Sequence, residues 1–456
     1  MYRYFYALAI GLIAWTGCSP TESLMETSSE TRVHTFSFYK DTANLGLTQM
    51  TYNILHLPDT GMITCADSLR FGTRLDSVVP YITYKASPAL VRYHLPDTTI
   101  ISTGADTLDF RRQPIYLYVQ SSDLTQERWY RINIYAHQAN PELYVWNKVA
   151  DITDFTDDRA ALQYSDMKAF YVQGKICLYV NNGFRTLIFH SVDGRTWKQM
   201  QPPVGLPAVC AVRDIIQYHD TLYYIDQNRL YSSVDLQNWT ALDFSDRSYE
   251  LVNMLVVFND QPWCILQDRL SSKLFLGTIQ QGNILPMTDI YGLNDGVLPD
   301  NFPVSDFAAL SFASSSERPR AMVVGGRDMN GEAVNTRWNL EYEPLTGYRI
   351  VDFSIEQPTF NSLTGISIIQ YNGHLIMFGG IDNDLTYRSN ILYSYDEGMN
   401  WYAPDKAANK LPETYYARQR QTVVLDNDNN IYIIGGQTNT RSFSDVYRGY
   451  LNSLKW

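Results

Sequence analysis

Cysteine is scarce. The chain has five in 456 residues, and the four beyond the N-terminal segment (Cys65, Cys177, Cys210, Cys264) show neither a CxxC pair nor a metal-ligand spacing. A disulfide scaffold is excluded, and Cys177 and Cys264, each inside an apolar run, read as buried free thiols. Positive charge is also short. Lysine plus arginine total 36 against 48 aspartate plus glutamate, a formal net charge of -12. That argues against a nucleic-acid partner, whose binding rests on clustered Lys/Arg, and against electrostatic docking on anionic lipid. The seven histidines are scattered. No Gly-x-Ser-x-Gly, His-Glu-x-x-His or phosphate loop occurs, so no cofactor and no metal is expected. Asp426-Asn427-Asp428-Asn429-Asn430 resembles a calcium loop in composition, but it stands where a hairpin must turn and lacks the downstream Glu, so it reads as a turn. What the chain does have is tyrosine, 34 of them, within a composition 45% hydrophobic and 14% aromatic. This suits strands better than helices, and the length predicts two or three domains.

Residues 1–17 read as a secretory signal. Arg3 precedes an uncharged run of 12 residues, Tyr4 to Trp15, too short for the ~20 residues that span a bilayer. No later run reaches 18 apolar residues. The run ends Trp15-Thr16-Gly17-Cys18, which resembles the lipobox of bacterial lipoproteins, with Trp15 where an aliphatic residue is usual. The resemblance implies lipidation at Cys18 and a membrane partner through that lipid. Ordinary secretion and an uncleaved anchor are the alternatives. Residues 18–31, rich in Ser, Thr and Glu, read as a flexible tether. Residues 32–140 alternate and turn like a small antiparallel β-sandwich of Ig-like topology, with a hairpin pairing 115–119 with 129–135; Asn140-Pro141 punctuates its end.

Residues 141–456 repeat one rhythm six times: an apolar strand, a polar tight turn, a second apolar strand. The copies are 170–179, 215–224, 255–264, 308–324, 368–377 and 422–434. The last three carry a glycine pair after the second strand, Gly325-Gly326, Gly379-Gly380 and Gly435-Gly436, spaced 54 and 56 residues apart. These pairs resemble the kelch repeat of β-propellers. Ser394-Tyr395-Asp396-Glu397-Gly398-Met399-Asn400-Trp401 resembles the Asp box of sialidase-type propellers. The segment Ser191 to Trp197, with Asp193, is one residue shorter, and Ser233 to Trp239, with Asp235, lacks the glycine. In that family the box is structural, so Asp193, Asp235 and Asp396 are given no catalytic role; they shape a turn that Trp197, Trp239 and Trp401 follow. The expected architecture is all-β: an Ig-like sandwich followed by a six-bladed kelch-like propeller, seven blades being the alternative. Trp146-Asn147-Lys148-Val149 matches the Trp-led fourth strands but has no blade of its own, and is expected to complete the last one. As a whole the chain resembles a DUF6242-like class of Bacteroidetes-type lipoproteins.

No catalytic set assembles in the sequence. A sialidase-type site would need three arginines, a Tyr–Glu pair and an acid, and the Arg-Ile-Pro type signature that opens such domains is missing. A binding site is expected where the innermost strands begin around the channel. Turn alignment places Met167, Arg213, Asn253 and Ile366 at one level, Asp166, Lys168, Asp214, Asp306, Arg418 and Arg420 stand at nearby inner-strand starts, and Trp338, Tyr387, Tyr415 and Tyr416 are aromatics that could stack on sugar rings. The expected function is a non-catalytic, lipid-anchored protein of the bacterial cell envelope, at the outer membrane, binding a glycan or an envelope protein. The alternatives are a sialidase-type glycoside hydrolase and a purely structural interaction module.

Overall fold

The computed structural model describes residues 27–456 except 42–43, 45, 138, 158–161, 163–165, 245–246, 281–282, 355–360, 405–409 and 456. The expected signal, Cys18 and most of the expected tether lie outside the described residues. Two compact units divide between Asn140 and Pro141. Strand dominates both, and among the described residues no helix is long and apolar enough to cross a membrane.

In the first unit Val33–Phe38 pairs with Pro80–Tyr84. A six-stranded sheet runs Tyr52–His56, Thr60–Cys65, Glu127–Asn133, Ile115–Gln120, Leu90–His94, Thr99–Ile101. The period-2 pattern of Ile115–Gln120 turns Ile115, Leu117 and Val119 into a core shared with Phe36, Phe38, Ile63, Tyr130 and Ile132. The expected hairpin forms, with Leu117 opposite Tyr130. One expectation is corrected: the sheet is not antiparallel throughout, because Thr60–Cys65 runs parallel to Glu127–Asn133. The chain between them makes four further strands before it returns, long enough to re-enter in the same direction.

Among the described residues the second unit carries six sheets of three or more strands. The first is Asp166–Val172, Lys175–Asn181, Thr186–Ser191, Lys198–Gln199; the second Ile216–Tyr218, Thr221–Asp226, Arg229–Ser233, Thr240–Asp243; the third Tyr249–Phe258, Gln261–Asp268, Leu274–Gln280, Asn283–Met287. The fourth runs Ala308–Ala313, Pro319–Val324, Arg337–Glu343, Gly347–Asp352, with Ile290–Tyr291 added in parallel; the fifth is Ser367–Tyr371, His374–Phe378, Leu392–Ser394. The sixth is Thr422–Leu425, Ile431–Ile434, Asp445–Leu451 and, from the start of the unit, Tyr144–Asp151. The Trp146 segment therefore completes the last sheet, with Trp146 opposite Gly449. Each sheet buries an apolar cluster against the next, and a further cluster of Met167, Leu178, Trp197, Tyr432 and Ile434 joins the sixth to the first. The strands are apolar on both sides because both sides are covered.

The three glycine pairs share one backbone conformation, with φ of 60° and 97°, 59° and 100°, and 64° and 102°. The second position, near 100°, lies beyond the left-handed φ of 47–69° that side-chain-bearing residues take elsewhere in this chain, and suits glycine. Each first glycine also presses on the next repeat. A Cβ on Gly325 would lie 2.2 Å from the Leu363 carbonyl oxygen, on Gly379 2.4 Å from Gln421 Oε1, and on Gly435 2.3 Å from Met167 Sδ. The aspartate turns are equally local. Asp193 accepts the Arg195 and Thr196 amides at 2.9 and 3.0 Å, Asp235 those of Gln237 and Asn238 at 3.0 and 2.7 Å, and Asp396 that of Asn400 at 2.9 Å. Gly194 and Gly398 take φ of 70° and 91°; in the copy without glycine, Leu236 is forced to 69°. Trp197, Trp239 and Trp401 are buried in clusters that join consecutive sheets. Asp426 makes the same kind of turn, accepting from the Asp428 and Asn430 amides at 2.9 and 2.8 Å. The four described cysteines are free thiols.

Candidate functional site

The first strands of all six sheets, or the residues leading into them, line a cavity of about 260 Å³. That is room for about nine waters at ~30 Å³ each. Its walls mix apolar side chains, among them Phe170, Ile215, Met254, Phe307 and Ile366, with polar ones, and Lys168, Arg213, Asp214 and Asp306 gather in the lining. Arg420 ties two of the carboxylates together. Its Nη2 lies 2.6 Å from Asp306 Oδ2 and its Nη1 3.5 Å from Asp166 Oδ1. Arg327 Nε approaches the same Asp306 oxygen at 3.8 Å. Asn253, buried, hydrogen-bonds the Asp214 carboxylate and donates to the Val304 carbonyl at 3.0 Å. Among the described residues, Lys168 and Arg213 have neither a hydrogen-bond partner nor an ion pair.

The backbone beneath this cluster is left-handed. Asp306, Gly365 and Arg420 have φ of 50°, 65° and 56°, each just ahead of a first strand. The Gly365 amide donates to the Asp306 carbonyl at 3.0 Å and the Arg420 amide to the Gly365 carbonyl at 2.7 Å. Side-chain-bearing residues cost roughly 1–2 kcal/mol in this region. Two of them, ion-paired to each other, hold it here because the amide relay between repeats and the Arg420–Asp306 contact demand it.

Electrostatics set the members apart. Burial pushes the Asp214 carboxyl up from its ordinary 3.8 to about 6, against the pull of Asn253, Arg213 and Lys168. Burial, aided by the Arg213 charge, lowers the Lys168 ammonium from 10.5 to about 8. Arg213 is lowered by burial too. Asp306 goes the other way: burial would raise it, but the Arg420 hydrogen bond and the charges of Arg420, Arg213 and Arg327 hold its carboxyl below the ordinary value. The stabilisation linked to Asp214 is complete below about pH 4 and lost as pH rises through about 6; that linked to Lys168 exists above about 10.5 and is lost as pH falls through about 8. At pH 7 both charges are therefore carried at a cost to the fold. We expect Lys168→Met and Asp214→Asn each to raise the thermal midpoint at pH 7 by a few degrees, with the Asp214→Asn gain vanishing by about pH 4. Thermal melts across pH check this; a lowered midpoint at pH 7 would count against it.

Residues 140–456 match the model described as the DUF6242 beta propeller domain, and residues 25–134 that of the DUF6242 N-terminal domain. The chain belongs to the DUF6242 family. Among curated proteins none matches. Among solved structures, one titled "Structure of YjhT" is similar at 12% identity and a TM-score of 0.44, over 62% of this chain and 94% of that one.

In the DUF6242 propeller, then, four of the eight site residues singled out in the sequence, Lys168, Arg213, Asp214 and Asp306, line the cavity, and three more adjoin them: Arg420 pairs with Asp306 and Asp166, and Asn253 hydrogen-bonds Asp214. Arg418 is elsewhere. It is fully buried within its own repeat, bidentate to Asp445 and sandwiched between the Phe443 and Tyr415 rings, 3.7 and 4.3 Å from their centroids. Trp338 and Tyr415 are buried too, so neither offers a face to a sugar, whereas Tyr416 is exposed. Arg327 was missed. It directly follows Gly325-Gly326, and that position, in a loop anchored beside Ser305, was the available signal. Among the described residues no group of three or more His, Cys, Asp or Glu is placed to hold a metal ion.

Proposed function

We propose that this chain is a lipid-anchored protein of the bacterial cell envelope, at the outer membrane, that binds a polar ligand, a glycan or the polar face of an envelope protein, at the charged end of its propeller channel. In this reading Cys18 carries the lipid, an Ig-like unit is the spacer, and the propeller has six blades of kelch and Asp-box type with Tyr144–Asp151 closing the ring. The observation that carries it is the pair of half-buried cations, Lys168 and Arg213, that line the cavity with no hydrogen-bonded or ion-paired side chain among the described residues. A fold does not keep such groups for stability, since a buried charge is costly until something pairs with it. The hydrolase alternative gains little support, because among the described residues the cavity lining includes neither a tyrosine nor a glutamate.

The test is a pull-down of the mature chain on host and bacterial polysaccharides, alongside fractionation of cells expressing the full chain and Cys18→Ala. We expect capture by at least one acidic polysaccharide without release of product, and loss of Cys18→Ala from the membrane fraction. Release of sugar would favour the hydrolase. No capture by any glycan, together with co-purification of a protein, would favour the interaction module.

A further inference from the structure

We propose that the charged end of the channel seats a single-ring sugar acid, its carboxylate held by Lys168 and Arg213 and its hydroxyls by the carboxylates of Asp214 and Asp306. The proposal rests on the glycan reading above and narrows its ligand class. Four features carry it. First, the donors are unspent. Arg420 already serves Asp306 and Asp166, whereas Lys168 and Arg213 have no partner among the described residues, so an incoming anion meets two available cations and breaks no existing ion pair. Second, the charge count selects a monoanion. Lys168, Arg213, Arg420 and Arg327 face Asp166, Asp214 and Asp306, a surplus of one positive charge, which a monoanion neutralises and a dianion such as phosphate exceeds.

Third, the carboxylates require donors. An ionised aspartate only accepts, and sugar hydroxyls supply what Asp214 and Asp306 lack toward the cavity. Asn253 and Arg420 hold those two side chains and are positioning residues. Fourth, size and walls agree. About 260 Å³ falls below the ~300–1,000 Å³ of drug-sized pockets, so the cavity itself has room for one ring. The partly exposed Phe307 in the lining can face the C–H surface of that ring.

The experiment is calorimetric titration of the full chain with D-glucuronate, D-galacturonate, D-glucose, acetate and inorganic phosphate at pH 7. The variants are Lys168→Met, Arg213→Met and the charge-keeping Arg213→Lys, each first shown to melt cooperatively. We expect a uronate to bind, glucose and acetate to bind at least about tenfold more weakly, each Met variant to lose about tenfold or more, and Arg213→Lys to recover part of it. Phosphate binding tighter than either uronate would overturn the proposal in favour of an inorganic anion site. Equal binding of acetate and uronate would remove the sugar from it, and uronate binding unchanged in both Met variants would remove the site. The wider glycan reading fails separately: if polysaccharide capture persists in the Met variants, only the carboxylate seat is wrong, and if the parent captures no polysaccharide, both are.

Discussion

Arg418→Met is expected to destabilise the propeller by about 3–5 kcal/mol, the range for breaking a buried ion pair from one side. The methionine fills comparable space, so the loss is not a cavity effect. What it leaves behind is the Asp445 carboxylate, 7% exposed, and two carbonyls. In the parent protein Arg418 donates from both terminal nitrogens to Asp445, from Nε to the Tyr416 carbonyl at 2.9 Å and from Nη1 to the Gly435 carbonyl at 3.0 Å. The guanidinium is thus spent on backbone and carboxylate at once, while the flat ring contacts on either side exclude water. Asp445→Leu alone should also destabilise, by orphaning the arginine. The double variant Arg418→Met/Asp445→Leu should recover part of the summed loss, because an apolar pair leaves no unpaired charge. Urea denaturation of all four proteins gives the coupling; a loss below about 1 kcal/mol in Arg418→Met would show that the pair is not what holds this end of the blade.

The contrast between Arg418 and Arg420 marks how far the sequence could be read. Two residues apart in an extended run, they should point the same way. The left-handed φ of 56° at Arg420 breaks that alternation, sending one guanidinium into the blade and the other toward the channel. Nothing in the residue types announces it, because arginine is not a residue that favours positive φ. The same limit applied to strand direction in the first unit: alternation shows which face is buried but is blind to whether neighbours run parallel, which is how the Thr60–Cys65 pairing escaped notice.

Where the determinant is local, sequence and structure meet. The glycine pairs announce their conformation because a φ near 100° at the second position, and the close approach of the next repeat at the first, both disfavour a Cβ. The aspartate turns need only four or five consecutive residues, so Asp193, Asp235 and Asp396 could be read off singly. The orphaned tryptophan strand was legible because the pattern left one blade a strand short and one strand without a blade. The site was legible in position but not in state. The turns bring the charged residues near one level, yet whether a cation there is paired depends on side chains from four different repeats, and only the structure shows Arg420 ion-paired and Lys168 and Arg213 without an ion pair among the described residues.

A propeller chain beginning at Ile152 is expected to lose its cooperative melt and to aggregate, whereas a chain beginning at Pro141 is expected to fold. The difference between the two contains Tyr144–Asp151, which pairs along its length with Asp445–Leu451. Without it that last strand becomes an open edge, its outward N–H and C=O groups free to pair with another copy. The side-chain loss is as large. Trp146 lies against Gly449 so closely that a Cβ there would sit 2.2 Å from the indole, and it meets Phe378 edge-on at 6.2 Å. Tyr144 meets Tyr371 and Tyr393 at 5.9 and 6.0 Å, so the one strand covers side chains from the fifth sheet as well as its own. Asp151 adds a latch, accepting from the Ser444 hydroxyl across 293 residues of sequence. Contacts of that separation are paid for in loop entropy before they return anything, so the ring can close only when its final strand meets its first. Adding a peptide of residues 141–151 to the shortened chain should restore a cooperative transition, since an edge strand accepts an added strand through its main chain. If the chain from Ile152 instead melts at the same temperature as the chain from Pro141, the closing strand stabilises nothing, and the six inter-sheet clusters alone must hold the ring.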